Sequence, residues 1–350
     1  MQEILKLQQK LVPEFLELLE KRYNILRTIY YDQPIGRRLL ASNLQIGERI
    51  VRTEINFLKK QNLIDINTPG MTITSEGEEV IDKLKEFIHE IKGLSQIEDF
   101  IKEKLKIQNL IIVPGDLEED NIVLNEIGRA AAKYICSLIK KNSIIAITGG
   151  STIKEVVDNV PKLSDFKNVL VVPARGGIGK NVETQANTLA ASLANKIGAN
   201  YKLLHLPDNL SDNVLSSIVN EEGIKEVLEN IQNADLLIYG IGRADEMARR
   251  RGVSLPTLNC HIDTTPVGEA FGYYFNSVGE VVYSTSISGI KNGDMKKIKN
   301  QVAVAGGKSK ARAIVAAEMN NFNSVLITDE GAAKEIVKLL SWSIKIYINL

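Results

Sequence analysis

Apolar side chains recur at helical steps in the first part of this chain, and past residue 108 they gather into short β-rich runs. Ile4, Leu7, Leu11, Phe15 and Leu18 alternate by three and four, the spacing of one helix face. Such a stripe must be covered, either by its own domain or, as a seam, by a second copy. Residues 21 to 75 then show short helical patterns closed by a strand-like pair, Leu63 to Ile66 and Met71 to Thr74 around Pro69-Gly70. That order predicts three helices and a wing. Val80, Leu84, Phe87, Ile91 and Leu94 form a further stripe flanked by Glu and Lys and interrupted at Gly93, which predicts a connecting helix.

From there on, strand-like runs alternate with helical segments: Leu110 to Val113, Ile144 to Thr148, Val169 to Val172, Leu203 to Leu206, Leu236 to Tyr239, Val302 to Ala305 and Val325 to Thr328. The alternation predicts an α/β fold with a doubly wound, mainly parallel sheet. Ligands of such sheets settle outside the carboxyl ends of the strands, so site residues are expected just after strands. The expected organisation is a winged helix-turn-helix over 1–75, a connecting helix over 76–107 and a ligand-binding domain over 108–350.

Length supports the division, since 350 residues exceed what one core usually serves. A hydrophobic share of 44% and a charged share of 25% exclude a disordered or collagen-like chain. Cys136 and Cys260 are too few for a disulfide framework and lack zinc-site spacing. No apolar run approaches the roughly 18 residues that cross a bilayer, and the first residues lack the order of a secretory signal. A cytoplasmic protein without metal or cofactor is expected.

The formal net charge of zero conceals segregation. Residues 21 to 60 hold nine basic side chains, Lys21, Arg22, Arg27, Arg37, Arg38, Arg49, Arg52, Lys59 and Lys60, against Asp32, Glu48 and Glu54. Within Gly36 to Lys60, the apolar Leu40, Leu44, Ile46, Val51, Ile55 and Leu58 fit helix, turn, helix. Arg49, Arg52, Asn56 and Lys59 recur on the opposite face of the second helix, where they can enter a major groove of double-stranded DNA. Arg can bind guanine bidentately, Asn can pair with adenine, and Lys can neutralise phosphate. A solvated charged helix would carry the same pattern; the wing behind it favours DNA. Gln45 stands where the turn commonly has Gly, and Gly47 where a helix start is better capped by Ser, Thr or Asp.

Three strand ends run into glycines. Thr148-Gly-Gly-Ser-Thr152 offers close backbone approach at Gly149 and Gly150, the hydroxyls of Ser151 and Thr152, and a helix N-terminus, the parts of a phosphate site. Taken alone it reads equally as a capped helix after a tight turn. Arg175 stands beside Gly176, Gly177 and Gly179, and Gly306-Gly307-Lys308-Ser309-Lys310 again opens a helix. Together the three loops point to a phosphorylated ligand. Gly240-Ile-Gly242 lacks the third glycine of a dinucleotide fingerprint, Asp245 standing in its place, and reads as a tight turn. Arg249-Arg250-Arg251 is a solvated run unless a phosphate nearby engages one of them. Glu269 can accept sugar hydroxyls or pair with a cation.

The segments Pro34-Ile-Gly-Arg-Arg38, Phe57 to Leu63, Thr148 to Thr152, Val172 to Gly177, Glu269 to Phe275 and Thr328-Asp-Glu-Gly-Ala-Ala333 together closely resemble the SorC/DeoR-like family of bacterial sugar-responsive transcription repressors, over essentially the whole chain. The resemblance implies a repressor of genes for the triose part of glycolysis, induced by fructose 1,6-bisphosphate. It implies a phosphate held by Gly150, Ser151 and Thr152, cationic contacts from Arg175, Arg250 and Lys310, and polar contacts from Gln185 and Glu269. It also implies an effector domain like those of phosphosugar isomerases and coenzyme A transferases. A homodimer or homotetramer is expected, because helix-turn-helix proteins commonly read two half-sites. The rival function is a phosphosugar isomerase using Glu269 or Asp263 as base, although His89, His205 and His261 are scattered. The final stretch, Leu339 to Leu350, is unlike the family's polar ending and is expected to add a strand or helix.

Overall fold

Tyr23, Ile25, Leu26 and Ile29 give helix α1 (Pro13–Asp32) the buried face on which the N-terminal unit is built. In this computed structural model, residues 11–177, 181–206, 212–252, 265–285 and 289–348 are described, and the chain divides into two units, 1–95 and 96–350. Ile4 and Leu7 of the first stripe lie outside the described residues. Leu11 and Phe15 are 80% and 48% exposed, so their own domain does not cover that part of the stripe.

Helix α2 (Arg37–Asn43) buries Leu40 and Ala41, and α3 (Glu48–Lys60) buries Val51, Ile55 and Leu58. The turn between them places Gln45 at φ 53, a left-handed conformation costing a side chain about 1 kcal/mol. It is closed by the Ile46 N–H donating to the Ala41 carbonyl at 3.1 Å. Gly47 caps α3 with extended backbone and no side-chain bond. Strands β1 (Ile64–Asn67) and β2 (Gly70–Ile73) pair antiparallel as the wing, and Ile35 bridges to Met71 alongside. At Gly70 (φ 147) a Cβ would lie 2.9 Å from the Ile35 backbone, so only glycine fits there.

Thr74 caps α4 (Ser75–Ile91) by accepting from the Gly77 N–H. The single connecting helix expected over 76–107 is corrected to two. Gly93, at φ 65, ends the first, and α5 (Leu94–Leu105) follows. Ile81 and Ile88 of α4 are buried in the N-terminal core with Val80 and Leu84 flanking them, so this helix is part of that core.

The second unit contains β3 (Asn109–Val113), α6 (Ile122–Leu138), β4 (Ile144–Ile147), α7 (Ser151–Asn159), β5 (Leu170–Pro173), α8 (Ala186–Ile197) and β6 (Asn200–Tyr201). There follow α9 (Asp212–Ile218), α10 (Glu222–Gln232), β7 (Leu236–Gly240), β8 (Gly242–Arg243), α11 (Ala244–Arg251), β9 (Gly268–Ala270), β10 (Tyr273–Phe275) and β11 (Val281–Ser284). The last are α12 (Asn292–Met295), β12 (Asn300–Val304), α13 (Ala311–Glu318), β13 (Ser324–Asp329) and α14 (Glu330–Ile348). Seven strands form one sheet in the order β3-β13-β12-β7-β4-β5-β6, and every neighbouring pair is parallel. Ile127 and Ile135 of α6, Val156 of α7 and Leu193 of α8 join Ile145, Val171 and Ile238 of the sheet in one apolar core.

Two corrections follow. The strand expected over Leu203 to Leu206 is displaced to β6, because Asn187 of α8 binds both the N–H and the carbonyl of Leu204 at 3.0 Å and draws that stretch off the sheet edge. A second sheet, antiparallel in the order β11-β10-β9-β8, was not expected. The tail of uncertain form is helical through Ile348.

Buried Glu54 ties α3 to α1, with Lys21 at 2.8 Å and Arg22 at 2.9 Å. Burial alone would raise its pKa, but the hydrogen bonds and charges of Lys21 and Arg22 outweigh that and hold it below the ordinary carboxylate value. A group with a depressed folded pKa stabilises above its unfolded pKa, and that contribution disappears as pH falls through the folded value. Unfolding of the full chain by urea should therefore show an acid-labile contribution that Glu54→Gln removes. The same substitution should cost on the order of 1–2 kcal/mol at neutral pH; unchanged stability at pH 7 would contradict this role.

Candidate effector cavity and DNA-contact face

Chain order reverses in the large sheet between β4 and β7: from β4 the chain runs outward to β5 and β6, then returns to the other side of β4 at β7. A crevice opens at the carboxyl ends of such a pair. Thr148-Gly149-Gly150 leaves β4 there and Gly240-Ile241-Gly242 leaves β7, and both line a cavity of about 490 Å³. This lies within the usual range of small-ligand pockets. A Cβ on Gly149 would meet the Thr184 carbonyl at 2.5 Å, and Gly150 (φ 122) donates its N–H to that oxygen at 2.8 Å. The two glycines thus fold the loop against residues 184–186 and aim α7 at the cavity. No side chain caps α7, and Ser151, Thr152 and Ile153 of its first turn all line the cavity. An uncapped helix start of this kind attracts anions.

Arg175, Gln185, Arg250, Glu269 and Lys310 line the same cavity, so all nine residues expected at the effector site meet in one place. Three consecutive arginines end α11 in three environments: Arg249 is exposed, Arg250 lines the cavity, and Arg251 is buried. Arg251 binds Glu269 Oε1 at 2.6 Å and the Tyr274 hydroxyl at 3.1 Å. Arg175 reaches the same Oε1 at 3.4 Å, and the Gly272 N–H donates to it at 2.5 Å. Glu269 therefore takes the cation-pairing alternative while still lining the cavity. Burial lowers the pKa of Lys310, Arg250 lowers it further, and Glu246 acts in the opposite direction. An anion brought to this lysine would favour its charged form.

The third glycine loop does not serve as an anion site. Asp329 Oδ1 accepts from the Gly307 N–H at 2.9 Å, Glu118 Oε1 accepts from the Ser309 N–H at 2.8 Å, and Lys308 pairs with Asp116 and Glu119. The chain's own carboxylates fill that cradle, and only Lys310 of the loop reaches the cavity. Of the second loop, Gly179 lies outside the described residues.

Asn181, Thr184, Glu246 and Met247 also line the cavity and carried no recognised motif, and Phe271, within the Glu269 to Phe275 segment, was assigned no role there. Phe271 (φ 56) and Gly272 (φ 93) form the turn between β9 and β10, with the Phe271 ring 4.5 Å from that of Tyr239. The one available signal was Gly240-Ile-Gly242 after a strand, read as a plain turn. An isomerase needs a base aimed at a sugar carbon. Glu269 instead accepts from two arginines and a backbone N–H on one oxygen, and Asp263 lies outside the described residues. Among the described residues no group of three or more His, Cys, Asp or Glu side chains is placed to hold a metal, and no helix is long and apolar enough to cross a membrane.

In the N-terminal unit, Arg49, Arg52, Asn56 and Lys59 are exposed along α3, opposite its buried Val51, Ile55 and Leu58, and Arg37 and Arg38 are exposed at the start of α2. Arg38 lies 3.8 Å from Glu48, an exposed pair of little energetic weight. The basic count over 21–60 overstates what DNA can meet, because Lys21 and Arg22 serve Glu54 and Arg27 is buried.

Gly149→Ala should force the 148–150 loop away from Thr184 and weaken anion binding at least about tenfold, with operator affinity intact. Calorimetry with a sugar bisphosphate measures this; full affinity in the variant would refute the close-approach argument.

Residues 89–338 match the family described as "Putative sugar-binding domain", and residues 18–88 match the "CggR N-terminal DNA binding domain". The chain is 45% identical over 339 residues to the central glycolytic genes regulator of Priestia megaterium, covering 97% of this chain and 99% of that protein. To the regulator of the same name from Bacillus subtilis it is 44% identical over 338 residues, covering 97% and 99%. A crystal structure of a SorC family transcriptional regulator from Enterococcus faecalis superposes with a TM-score of 0.63 at 38% identity, covering 69% of this chain and 99% of that one. With a DNA-binding unit, a sugar-binding unit and relatives named as regulators rather than enzymes, the chain belongs to the SorC/DeoR-like family of transcriptional regulators.

Proposed function

We propose that this protein represses central glycolytic genes in the cytoplasm and is induced by a phosphorylated sugar, with fructose 1,6-bisphosphate as the effector. The observation carrying this reading is the cavity at the β4/β7 reversal, where an uncapped helix start faces Arg175, Arg250 and Lys310. One phosphate is taken by the backbone and hydroxyls of Gly149, Gly150, Ser151 and Thr152, assisted by Arg175; the second is taken by Arg250 and Lys310. Gln185 and Glu269 address the sugar hydroxyls. The names of the two glycolytic relatives supply the target genes.

On the DNA side, Arg49, Arg52, Asn56 and Lys59 of α3 enter the major groove, and Arg37 and Arg38 contact the backbone of a double-stranded operator. The protein acts as a homodimer or homotetramer, so that two such helices address two half-sites. Effector binding weakens repression only by favouring an arrangement with lower operator affinity, a coupling typically of about 1–3 kcal/mol.

Fluorescence anisotropy with a labelled operator tests the scheme. Saturating fructose 1,6-bisphosphate should lower operator affinity about 5- to 150-fold, and an unchanged affinity would refute the effector assignment. Arg175→Ala should abolish the response and spare operator binding. Arg52→Ala should weaken operator binding and reduce its salt slope by about one if that arginine meets a phosphate; unaltered affinity would remove it from the interface.

A further inference from the structure

Resting on the reading of the cavity as a sugar-phosphate site, we propose that Arg251 is the positioning residue that lets the cavity tell a polyol phosphate from a bare anion. A carboxylate inside an anion-binding cavity is an obstacle unless its charge is cancelled and its direction fixed. Arg251 does both for Glu269. Its side chain is 0% exposed against 4% for Glu269, and it is anchored from behind by the Tyr274 hydroxyl. The 2.6 Å bond from Arg251 and the 2.5 Å bond from the Gly272 N–H hold Oε1.

Two consequences follow from that geometry. Oε1 is saturated, so Oε2 is the oxygen left for a ligand. A Cβ placed on Gly242, which lines the cavity, would stand 3.9 Å from it. A carboxylate oxygen accepts hydrogen bonds and donates none, so it favours a sugar hydroxyl and repels a phosphate oxygen. Arg251 holds Glu269 at close range, while Arg175 meets the same oxygen at the longer 3.4 Å and also lines the cavity. Of the three consecutive arginines, the buried one sets the selectivity without meeting the ligand.

The test compares two ligands in the full chain by calorimetry: fructose 1,6-bisphosphate, which carries hydroxyls, and inorganic pyrophosphate, which carries none. Arg251→Lys keeps the charge and loses the planar fork. Tyr274→Phe removes the hydroxyl that anchors Arg251 and leaves the Arg251–Glu269 ion pair in place, guarding against the instability of an unpaired buried charge. Both should bind pyrophosphate nearly as the parent does and lose about tenfold or more in affinity for the bisphosphate. An unchanged ratio of the two affinities in either folded variant overturns the proposal. Failure of both variants to fold would also overturn it, making Arg251 a structural support alone. A parent protein that binds neither ligand would instead refute the sugar-phosphate reading itself.

Discussion

The reversal of strand order between β4 and β7 is the constraint on which the ligand site depends. A parallel strand must hand its chain to a crossover at its carboxyl end. Where two neighbouring crossovers depart in opposite directions, nothing in the sheet fills the gap between them. Here the gap receives Gly149-Gly150 from one side and Gly240-Ile241-Gly242 from the other, and the first turn of α7 is left without a cap. That first turn is held in place by the core, in which Ile153, Val156 and Val157 of α7 are buried. Groups whose positions are set by the fold in advance carry a smaller ordering cost of binding.

Around that backbone platform the side chains are arranged by charge compensation. A buried, unpaired Glu269 would be costly, and the cost is contained by placing it between Arg175 and Arg251. Glu54 in the N-terminal unit follows the same logic, with Lys21 and Arg22 of α1 holding it while α3 turns Arg49 and Arg52 outward. In both units some cations serve the fold and others face out; at Arg250 and Arg251 adjacent residues divide the two tasks.

How legible these features were depends on where the information resides. Leu110 to Val113 and Val325 to Thr328 announce their strands because strands covered on both faces need continuous apolar runs. The second sheet is hidden because β8, β9 and β10 are only two or three residues long and include Gly242 and Gly268. Leu203 to Leu206 has strand composition and is nevertheless claimed by Asn187, a partner that local pattern does not reveal. Gly149, Gly150 and Arg175 were readable from strand ends. The different fates of Arg249, Arg250 and Arg251 were not, since the direction of each is set by helical phase against a sheet that had not been foreseen. Gly306-Gly307 misled for the converse reason: the carboxylates that fill its cradle come from distant parts of the chain.

That filled cradle bears on the shape of any doubly anionic ligand. With Asp329 and Glu118 occupying the loop after β12, the proposed site keeps one pole at the start of α7 and a second at the ends of Arg250 and Lys310. The two poles differ in stiffness. The first is carried on backbone fixed by the sheet and α7, while the second is carried on two long side chains. On the proposed reading, the fold sets the position of one end of the ligand, and the length of the ligand is met by side chains at the other.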